Sequence, residues 1–587
     1  MKVVLLALNA KYIHTSLALR SIATYCKEYE DDIKVLELTI NQNENEIIKV
    51  IYDEAPDILG ISCYIWNMSF IKMLVPTLRK ILPDTKIILG GPEVTYEGDD
   101  LLNELPINFV MEGEGEETWK AYLDYYTGKG LALEDVDGLI YKAQEQNAQN
   151  EAAHKIIRNK PRQPLNLEYL PFVYDSLEGL EHKIIYYEAS RGCPFRCQYC
   201  LSSIEHGVRF APLERVKEHM TYFTNKRVKQ VKFVDRTFNA KRHYAMEIWQ
   251  HIMAIDNGYT NFHFEIAAEL LTDEMITLLK DARPGLIQFE IGVQSTNQKV
   301  LDTIMRPMPF KDIKEVVLKV KAQGNIHQHL DLIAGLPYED YNSFGRSFND
   351  VISLRPEQFQ LGFLKLLKGS GLRHNAEEYG LVYKEEPPYE ILYTREVNYR
   401  EMLLLHDIEE MLERYYNSER FKNSLEYLFT VFDSPFKCFE TLAKFWSKCG
   451  YDKVQHNKLS YYVKLIEFGE SMENVNSEIL KEMIRLDYLL HEHLNEVPVA
   501  FETLERSKFK DHHNLMLKDD DFIAKYAPTL LEKAPRHRYR LALLEAFKYN
   551  VWQAYETGCY EKITENEVPS CILFDYSTQT VKSTCIS

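Results

Sequence analysis

Short apolar runs alternate with amphipathic stretches through the first part of the chain. Five runs have the length of buried strands and cover residues 2–8, 33–38, 57–62, 86–91 and 107–113. Between them, residues 17–28, 44–52 and 68–82 repeat apolar positions at helical spacing. This alternation favours a parallel sheet covered by helices, with ligand-binding loops at the carboxyl ends of its strands. We therefore predict a doubly wound, Rossmann-like α/β domain over residues 1–130.

The pattern changes in the rest of the chain. Residues 131–181 are more polar and contain prolines, which predicts a small hairpin followed by a linker. Residues 182–370 contain six further strand-helix repeats, too few to close the usual eight-unit barrel, so we predict a partial (β/α)6 barrel. Strand patterns then fade, and residues 396–416, 477–494 and 538–549 have amphipathic helical spacing. We expect residues 371–587 to form a mostly α-helical domain.

Composition indicates an ordinary globular protein, and its charge argues against one class of partner. Of the 587 residues, 45% are hydrophobic and 27% are charged. The formal net charge of -19 argues against nucleic acid as a partner, since binding a polyanion generally requires a basic surface. The first apolar run is too short for a signal peptide, and no run reaches the roughly 18 apolar residues of a transmembrane helix. We therefore expect a cytoplasmic enzyme, in which clustered cysteines indicate metal binding or catalysis.

Three of the ten cysteines, Cys193, Cys197 and Cys200, lie within eight residues of one another. They follow the first predicted barrel strand, at the end where barrel active sites form, and the neighbouring glycine and proline favour a loop. Three thiolates can bind three irons of a 4Fe-4S cubane and leave the fourth iron open, whereas a closed structural zinc site uses four protein ligands. Two alternatives remain: a zinc site completed by a distant residue such as His206, or three unrelated thiols.

Two predicted barrel strands carry polar side chains at alternate positions. Residues two apart on a strand point to the same face, so polar residues on otherwise apolar strands are expected to point into the barrel lumen. The first strand contributes Gln288, Glu290, Gly292 and Gln294, and the second contributes His327, His329 and Asp331. The pattern does not identify the catalytic residues, but it makes Glu290, His327 and His329 candidates.

The Cys-x3-Cys-x2-Cys spacing, with Tyr199 directly before the last cysteine, resembles the signature of the radical S-adenosylmethionine (SAM) superfamily. The resemblance implies that Cys193, Cys197 and Cys200 hold a 4Fe-4S cluster and that Tyr199 lies in the SAM site. It also implies that the amino and carboxylate groups of SAM chelate the open iron, and that one electron cleaves SAM to methionine and a 5'-deoxyadenosyl radical. An external one-electron donor such as flavodoxin or ferredoxin would supply that electron.

Two later segments, IGVQS and DLIAGLP, resemble the SAM-binding strands of the oxygen-independent coproporphyrinogen oxidase branch of this superfamily. By this resemblance Gln294 and Asp331 bind the ribose hydroxyls, and Arg306 binds the methionyl carboxylate, for which a bidentate guanidinium is suited. Glu265 is implied as a further SAM contact. Asp235, at the end of the second barrel strand, is implied to bind the amino group; the alternative is that it caps the following helix.

A doubly wound domain directly before such a barrel resembles the cobalamin-binding domain of cobalamin-dependent radical SAM enzymes. The resemblance implies that the loops after its first, third, fourth and fifth strands surround the corrin. The implied contacts are Asn9, Lys11, Tyr12, Ser62, Trp66, Gly90, Gly91, Pro92, Glu112, Gly113 and Glu114. The Asp-x-His-x-x-Gly motif that supplies a histidine to cobalt in some cobalamin domains is absent, and His14 lies in a different context. The alternative is a domain that binds another ligand or none.

The implied cofactors favour radical methylation of an unactivated carbon, with one SAM forming the radical and another supplying the methyl group through cobalamin. The substrate would be a small molecule or a peptide. Three alternatives remain: a cobalamin-dependent rearrangement or cyclisation, an RNA-modifying radical enzyme, and a non-catalytic cobalamin or iron-sulfur sensor.

Overall fold

The computed structural model describes residues 1–146, 152–204, 207–306, 308–492, 498–501, 511, 514–578 and 581–586. These residues divide into two compact units. The first unit contains residues 1–340 and 362–398, and the second contains residues 341–361 and 399–587. Within the described residues, no helix is both long and apolar enough to cross a membrane.

The first unit begins with a sheet of seven described strands in the order β2-β1-β3-β4-β5-β6-β7. The strands are β1 (Val3–Asn9), β2 (Ile33–Thr39), β3 (Ile58–Ser62), β4 (Lys86–Gly90), β5 (Phe109–Met111), β6 (Leu139–Gln146) and β7 (Ala152–Arg158). The helices are α1 (Leu17–Tyr25), α2 (Glu44–Glu54), α3 (Met68–Ile81), α4 (Gly98–Glu104) and α5 (Gly115–Tyr126). Strands β1 to β5 pair in parallel, as the doubly wound pattern predicts, whereas β6 and β7 are antiparallel and extend the same sheet.

Burial of both faces of β1 explains why its sequence is continuously apolar. Val4, Leu6 and Leu8 belong to one core cluster, and Val3 and Leu5 belong to another on the opposite face of the sheet. A strand covered by helices on both sides has no face that requires polar residues. The loops at the carboxyl ends of these parallel strands therefore lie together at one edge of the sheet.

A second sheet follows in the order β15-β14-β13-β12-β11-β8. Its strands are β8 (Ile185–Tyr187), β11 (Gln230–Phe233), β12 (Asn261–Ile266), β13 (Ile287–Gln294), β14 (His327–Ala334) and β15 (Gln358–Phe363), and a hairpin of β9 (Ser190–Cys193) and β10 (Gly207–Phe210) follows β8. The helices are α6 (Leu213–Asn225), α7 (Arg242–Ala254), α8 (Asp273–Leu279), α9 (Gln298–Thr303) and α10 (Phe310–Lys321). The pairs from β8 to β14 are all parallel, which agrees with the predicted partial barrel.

The second unit is mostly helical, as predicted, but it also contains strands. Its helices are α11 (Tyr341–Ile352), α14 (Tyr399–Met411), α15 (Lys422–Val431), α16 (Pro435–Cys449), α17 (Lys458–Glu470), α18 (Ser477–His491), α19 (Asp520–Tyr526), α20 (Pro535–Leu541) and α21 (Val551–Thr557).

The first unit also contains α12 (Gly371–His374), α13 (Ala376–Tyr379), β16 (Val382–Tyr383) and β17 (Ile391–Tyr393).

The helix predicted over residues 538–549 is wrong for most of its length. Helix α20 ends at Leu541, and β18 (Ala542–Tyr549) then pairs antiparallel with β19 (Glu565–Asp575), which in turn pairs with β20 (Lys582–Cys585). Six of the eight residues of β18 are buried. A short run buried on both faces has neither strand nor helix periodicity, so the sequence pattern alone could not distinguish the two.

Candidate functional site

The three clustered cysteines lie together in a small cavity at the carboxyl end of the second sheet. Cys193 ends β9, and Cys193, Cys197 and Cys200 all line a cavity of about 190 Å³. The loop is closed by a hydrogen bond from Cys200 N to Cys197 O at 3.1 Å. All three thiols are free of disulfides, and burial raises the pKa of Cys197 although Arg306 opposes that shift.

The donor set in this cavity fits a cluster with one open iron. Among its described lining residues there is neither a histidine nor a fourth cysteine. His206, the alternative fourth ligand of a zinc site, lies outside the described residues. Three thiolates without a fourth nitrogen or sulfur donor match a 4Fe-4S cubane better than a closed zinc site.

Five of the six residues implied as SAM contacts line the same cavity: Tyr199, Glu265, Gln294, Arg306 and Asp331. The sixth, Asp235, is not among the lining residues. Its buried carboxylate accepts hydrogen bonds from Ser190 Oγ at 2.5 Å and from Ala189 N at 3.1 Å, and burial raises its pKa to about 7 despite these donors. Asp235 therefore holds the strand that leads into Cys193.

The alternative role suggested for Asp235, capping the next helix, is not found in the structure. The N-cap residue of α7 is Lys241, and no side chain makes a cap hydrogen bond there.

Buried polar atoms without partners mark the cavity as a place for a polar ligand. Arg306 donates from Nη2 to Gly292 O at 2.7 Å, and its Nη1 lies 3.9 Å from Cys197 Sγ. Among the described residues, Arg306 Nε has no hydrogen-bond partner, and the one polar neighbour of Asp331 Oδ1 is His329 Nε2 at 3.2 Å. Burial raises the pKa of Asp331 well above its usual value. Because buried polar atoms are normally satisfied, a ligand with ribose and carboxylate groups fits here.

Gly292 provides the room that the Gln294 side chain requires. A Cβ atom at this position would lie 2.1 Å from Gln294 Nε2. Gln294 itself has a positive φ of 68°, and the register between β13 and β14 shifts between Gly292 and Gln294. This irregularity turns the Gln294 side chain into the cavity at the end of the strand.

A charged cluster lies below this cavity on the predicted lumen face. Glu290 Oε2 is 2.9 Å from His263 Nε2 and 3.0 Å from Lys232 Nζ. Burial alone would raise the pKa of Glu290, but His263 and Lys232 outweigh it and lower the pKa. His329 Nε2 lies 3.2 Å from Asp331 Oδ1, and burial lowers the pKa of His329 to about 4. Neutral histidine and anionic glutamate are therefore the forms favoured near neutral pH.

The sequence reasoning named Glu290, His327 and His329 but missed two members of this cluster. Lys232 and His263 obey the same alternation rule, since each shares its strand face with polar residues two positions away. Applying the rule to β11 and β12 as well would have found both.

A second and larger cavity lies at the carboxyl ends of β1, β3, β4 and β5. Its volume is about 570 Å³, and it is also lined by residues of the second sheet and of α6. Eight of the implied cobalamin contacts line it: Asn9, Ser62, Trp66, Gly90, Gly91, Pro92, Gly113 and Glu114.

The other three implied contacts, Lys11, Tyr12 and Glu112, do not line this cavity. Tyr12 is 66% exposed, and Glu112 forms an ion pair with Arg158 at 2.5 Å. His14 is also outside the lining, with Nδ1 2.7 Å from Tyr186 OH. Among the described lining residues the only histidine is His219, whose Nδ1 lies 2.9 Å from Tyr187 OH.

The rim of the larger cavity contains a glycine that close backbone packing requires. Gly91 has a φ of 112°, and a Cβ there would lie 2.6 Å from the carbonyl oxygen of Cys63. Trp66 stacks on Tyr64 with ring centroids 4.4 Å apart and donates from Nε1 to Leu8 O at 3.2 Å. A flat macrocycle with a polar tail fits a cavity with such an open backbone rim and aromatic wall.

Two arginines connect the surroundings of the two cavities. Arg191, two residues before Cys193, donates to Glu116 Oε1 at 2.5 Å and also pairs with Glu188 at 2.8 Å and Glu114 at 3.3 Å. Arg236 lines both cavities. Sequence reasoning missed both residues, because their significance depends on contacts between segments far apart in the chain.

Three family matches divide the chain in the same way as these features. Residues 3–123 match the B12 binding domain, and residues 187–351 match the radical SAM superfamily. Residues 377–574 match a family described as a protein of unknown function, DUF4080.

Two relatives with curated names match 55% and 57% of this chain. An uncharacterized methyltransferase, PH0819, of Pyrococcus horikoshii is 27% identical over 55% of this chain and 70% of its own length. The cobalamin-dependent radical SAM methyltransferase TokK of Streptomyces tokunonensis is 23% identical over 57% of this chain. The match spans only 51% of TokK.

Solved structures are similar in fold. The cobalamin-dependent SAM radical enzyme OxsB, with aqua-cobalamin and SAM bound, is 14% identical with a TM-score of 0.55 and covers 95% of this chain and 84% of its own. The radical SAM methyltransferase TsrM of Kitasatospora setae, with cobalamin and a 4Fe-4S cluster bound, is 16% identical with a TM-score of 0.54 and covers 66% and 79%.

These matches confirm the architecture that the sequence predicts, and the two family matches agree with the predicted cobalamin and SAM sites. The chain therefore contains the two domains of a cobalamin-dependent radical SAM enzyme, a B12-binding domain followed by a radical SAM domain.

Proposed function

We propose that this enzyme methylates an unactivated carbon of a small molecule or peptide, using SAM both as radical source and as methyl source. The observation that carries the proposal is the adjacency of two differently built cavities that share Arg236. One contains three cysteines and unsatisfied polar atoms, and the other has a glycine-rich rim at the edge of the B12-binding sheet. The relatives named as methyltransferases support methyl transfer over the other radical outcomes.

Eight residues that line the smaller cavity have an assigned part in this proposal. Cys193, Cys197 and Cys200 would hold three irons of the cluster. Arg306 would orient the SAM carboxylate, because its guanidinium is fixed by Gly292 O and points one nitrogen toward the cysteine loop. Gln294 and Asp331 would hold the ribose hydroxyls, with Tyr199 and Glu265 as further SAM contacts. When bound, the cofactors would supply one-electron cleavage of SAM and a methyl donor.

The protein's own contribution is to position these groups and to exclude water. On its B12-binding side, the larger cavity is lined by Asn9, Ser62, Trp66, the Gly90 to Pro92 turn, Gly113 and Glu114. A radical formed in the smaller cavity would be protected by the surrounding walls until the substrate reacts. The electron would come from an external donor such as flavodoxin or ferredoxin.

The test uses the full chain, reconstituted without oxygen with iron, sulfide and cobalamin. Reduction with SAM is expected to yield 5'-deoxyadenosine, and SAM with a deuterated methyl group is expected to transfer that label to a compound of an extract that contains small molecules and peptides. If 5'-deoxyadenosine forms but no compound gains the label, methylation is wrong and a rearrangement or cyclisation is favoured. If a fully loaded sample forms no 5'-deoxyadenosine, the sensor alternative is favoured instead.

A further inference from the structure

The one arginine that lines both cavities is placed to bind something other than the protein. Arg236 directly follows Asp235 at the end of β11, and its side chain is 58% exposed. Among the described residues, its one ion-pair partner is Glu265, with Arg236 Nη1 and Glu265 Oε2 3.7 Å apart. That distance is too long for a hydrogen bond, so the planar donor face of the guanidinium remains available.

The other arginines of the larger cavity are already engaged. Arg191 contacts three carboxylates, those of Glu114, Glu116 and Glu188. Arg215 donates to the carbonyl oxygens of Leu167 and Glu168 at 2.5 and 2.8 Å. No lysine is among the described lining residues of either cavity. Arg236 is therefore the described cation best able to meet a new anion between the cavities.

The backbone that presents Arg236 is held on both sides. Asp235 is fixed by Ser190 and Ala189, and Thr237 Oγ1 lies 3.4 Å from Cys193 Sγ. Asn239 donates to Ala267 O at 2.8 Å and accepts from Ala267 N at 2.9 Å. A charged group on such a fixed segment loses less entropy on binding than one on a mobile loop.

The carboxylates nearby do not prevent an anion from binding here. In the larger cavity, Glu114, Glu116 and Glu188 face Arg191, and Glu114 also pairs with Arg209. In the smaller cavity, burial raises the pKa of Glu265 and of Asp331, which weakens the negative charge beside Arg236. Glu290 is the exception, and it is paired with Lys232 and His263.

We infer that Arg236 binds an anionic oxygen group of the substrate, a carboxylate or a phosphate, and so holds the substrate between the SAM cavity and the corrin cavity. This inference rests on the proposed function, since it names the substrate class of the same site. The guanidinium offers two parallel donors to either anion, which fixes orientation as well as position.

The inference is tested on the reconstituted holoenzyme by modification with phenylglyoxal, an arginine-specific reagent, followed by peptide mass spectrometry. SAM is kept saturating, and inorganic phosphate or acetate is added at constant ionic strength. The labelling rate at Arg236 is expected to fall about tenfold when the anion is about ten times above its dissociation constant. Arg242, which pairs with Glu274 and lines neither of the two cavities, is the internal control and should label at an unchanged rate.

Each outcome decides the inference without requiring methylation. Protection by phosphate alone identifies a phosphorylated substrate, and protection by acetate identifies a carboxylate. Full protection by SAM before any anion is added would assign Arg236 to the SAM site and overturn the inference. Equal labelling with and without the anions would overturn it as well. Labelling of Arg236 needs no turnover. Its result can therefore be interpreted even if the proposed methylation is wrong.

A functional arm uses Arg236→Lys and Arg236→Gln in the label-transfer assay. Loss of an anion contact is expected to raise KM for the labelled compound far more in Arg236→Gln than in Arg236→Lys, because lysine keeps the positive charge. If both variants keep the wild-type KM, Arg236 does not bind the substrate.

Discussion

The guanidinium of Arg191 donates to Glu116 Oε1 at 2.5 Å, and this pair joins the strand that ends at Cys193 to the first turn of helix α5 in the B12-binding domain. Both side chains are largely buried, with exposures of 16% and 5%. The pair lowers the pKa of Glu116 although burial alone would raise it. The cysteine loop and the edge of the first sheet are thus fixed to each other by charge.

Replacing Arg191 with Met is expected to destabilise the first unit and to reduce cluster incorporation. The substitution leaves Glu114, Glu116 and Glu188 without their shared cation, and breaking a buried ion pair costs about 3 to 5 kcal/mol. Urea unfolding of the apo chain and iron content after reconstitution measure the two effects. Arg242→Met, which breaks an exposed pair with Glu274, is the control and should cost less than about 1 kcal/mol. Equal stability of the two variants would contradict the prediction.

Replacing any one of Cys193, Cys197 and Cys200 with Ala is expected to abolish the 4Fe-4S cluster. Iron and labile sulfide per chain, together with the electron paramagnetic resonance signal of the reduced protein, measure the loss. Cys449→Ala is the control, because Cys449 is exposed at the end of α16, away from the cavity lining. Zinc found in wild type at one ion per chain, in place of iron, would support the alternative zinc site.

The sequence alone predicted the elements whose patterns are long or repeated. The strands of the first sheet and the six strands of the second could be predicted, because buried parallel strands are short, continuous apolar runs and segments with helical spacing separate them. Alternation correctly predicted which polar residues share a face on β14, as its burial pattern illustrates, and on β13 as far as Gly292, after which the register shifts before Gln294. The spacing of the three clustered cysteines was enough to predict a metal-cluster site.

What the sequence could not predict depends on contacts between distant segments. Arg191 meets Glu116 across 75 positions, and no local pattern indicates that pair. Lys11, Tyr12 and Glu112 belong to loops that end near the larger cavity, but their side chains do not line it. Strand β18 was predicted as helix because burial on both faces removes periodicity.

Replacing Gly292 with Ala is expected to weaken SAM binding by about tenfold or more, equivalent to about 1.4 kcal/mol. The added Cβ would lie 2.1 Å from Gln294 Nε2, so this proposed SAM contact must move, whereas its distance of 3.7 Å from Arg306 Nη2 is an ordinary contact. Equilibrium binding of SAM to the reconstituted enzyme measures the effect. Gly362→Ala on β15 is the matched control, because its Cβ would meet only Leu332 O at an ordinary 3.5 Å. Unchanged SAM affinity in Gly292→Ala would exclude the assignment of this cavity.

Asp487 of helix α18 is expected to make the stability of the second unit depend on pH. Its buried carboxylate accepts hydrogen bonds from Asn423 N and Nδ2 at 3.0 and 2.8 Å and from Ser424 N and Oγ at 2.8 and 2.6 Å. Burial nevertheless raises its pKa from 3.8 to about 6. The folded chain therefore binds this proton more tightly than the unfolded chain does.

The difference between the folded and unfolded pKa of Asp487 determines the direction in which stability changes with pH. The contribution of Asp487 to stability is fully present below its unfolded pKa and is lost as the pH rises through about 6, a change of about 3 kcal/mol. Urea unfolding of the full chain is compared for wild type and Asp487→Asn between about pH 4 and about pH 7. Hydrogen exchange of the α18 amides, measured over the same pH range, reports the stability of the second unit. Wild type should gain about 3 kcal/mol relative to the variant as the pH falls. In Ser424→Ala, which removes one donor to the anion, the transition should move to higher pH, and a pH-independent difference between wild type and Asp487→Asn would contradict the assignment.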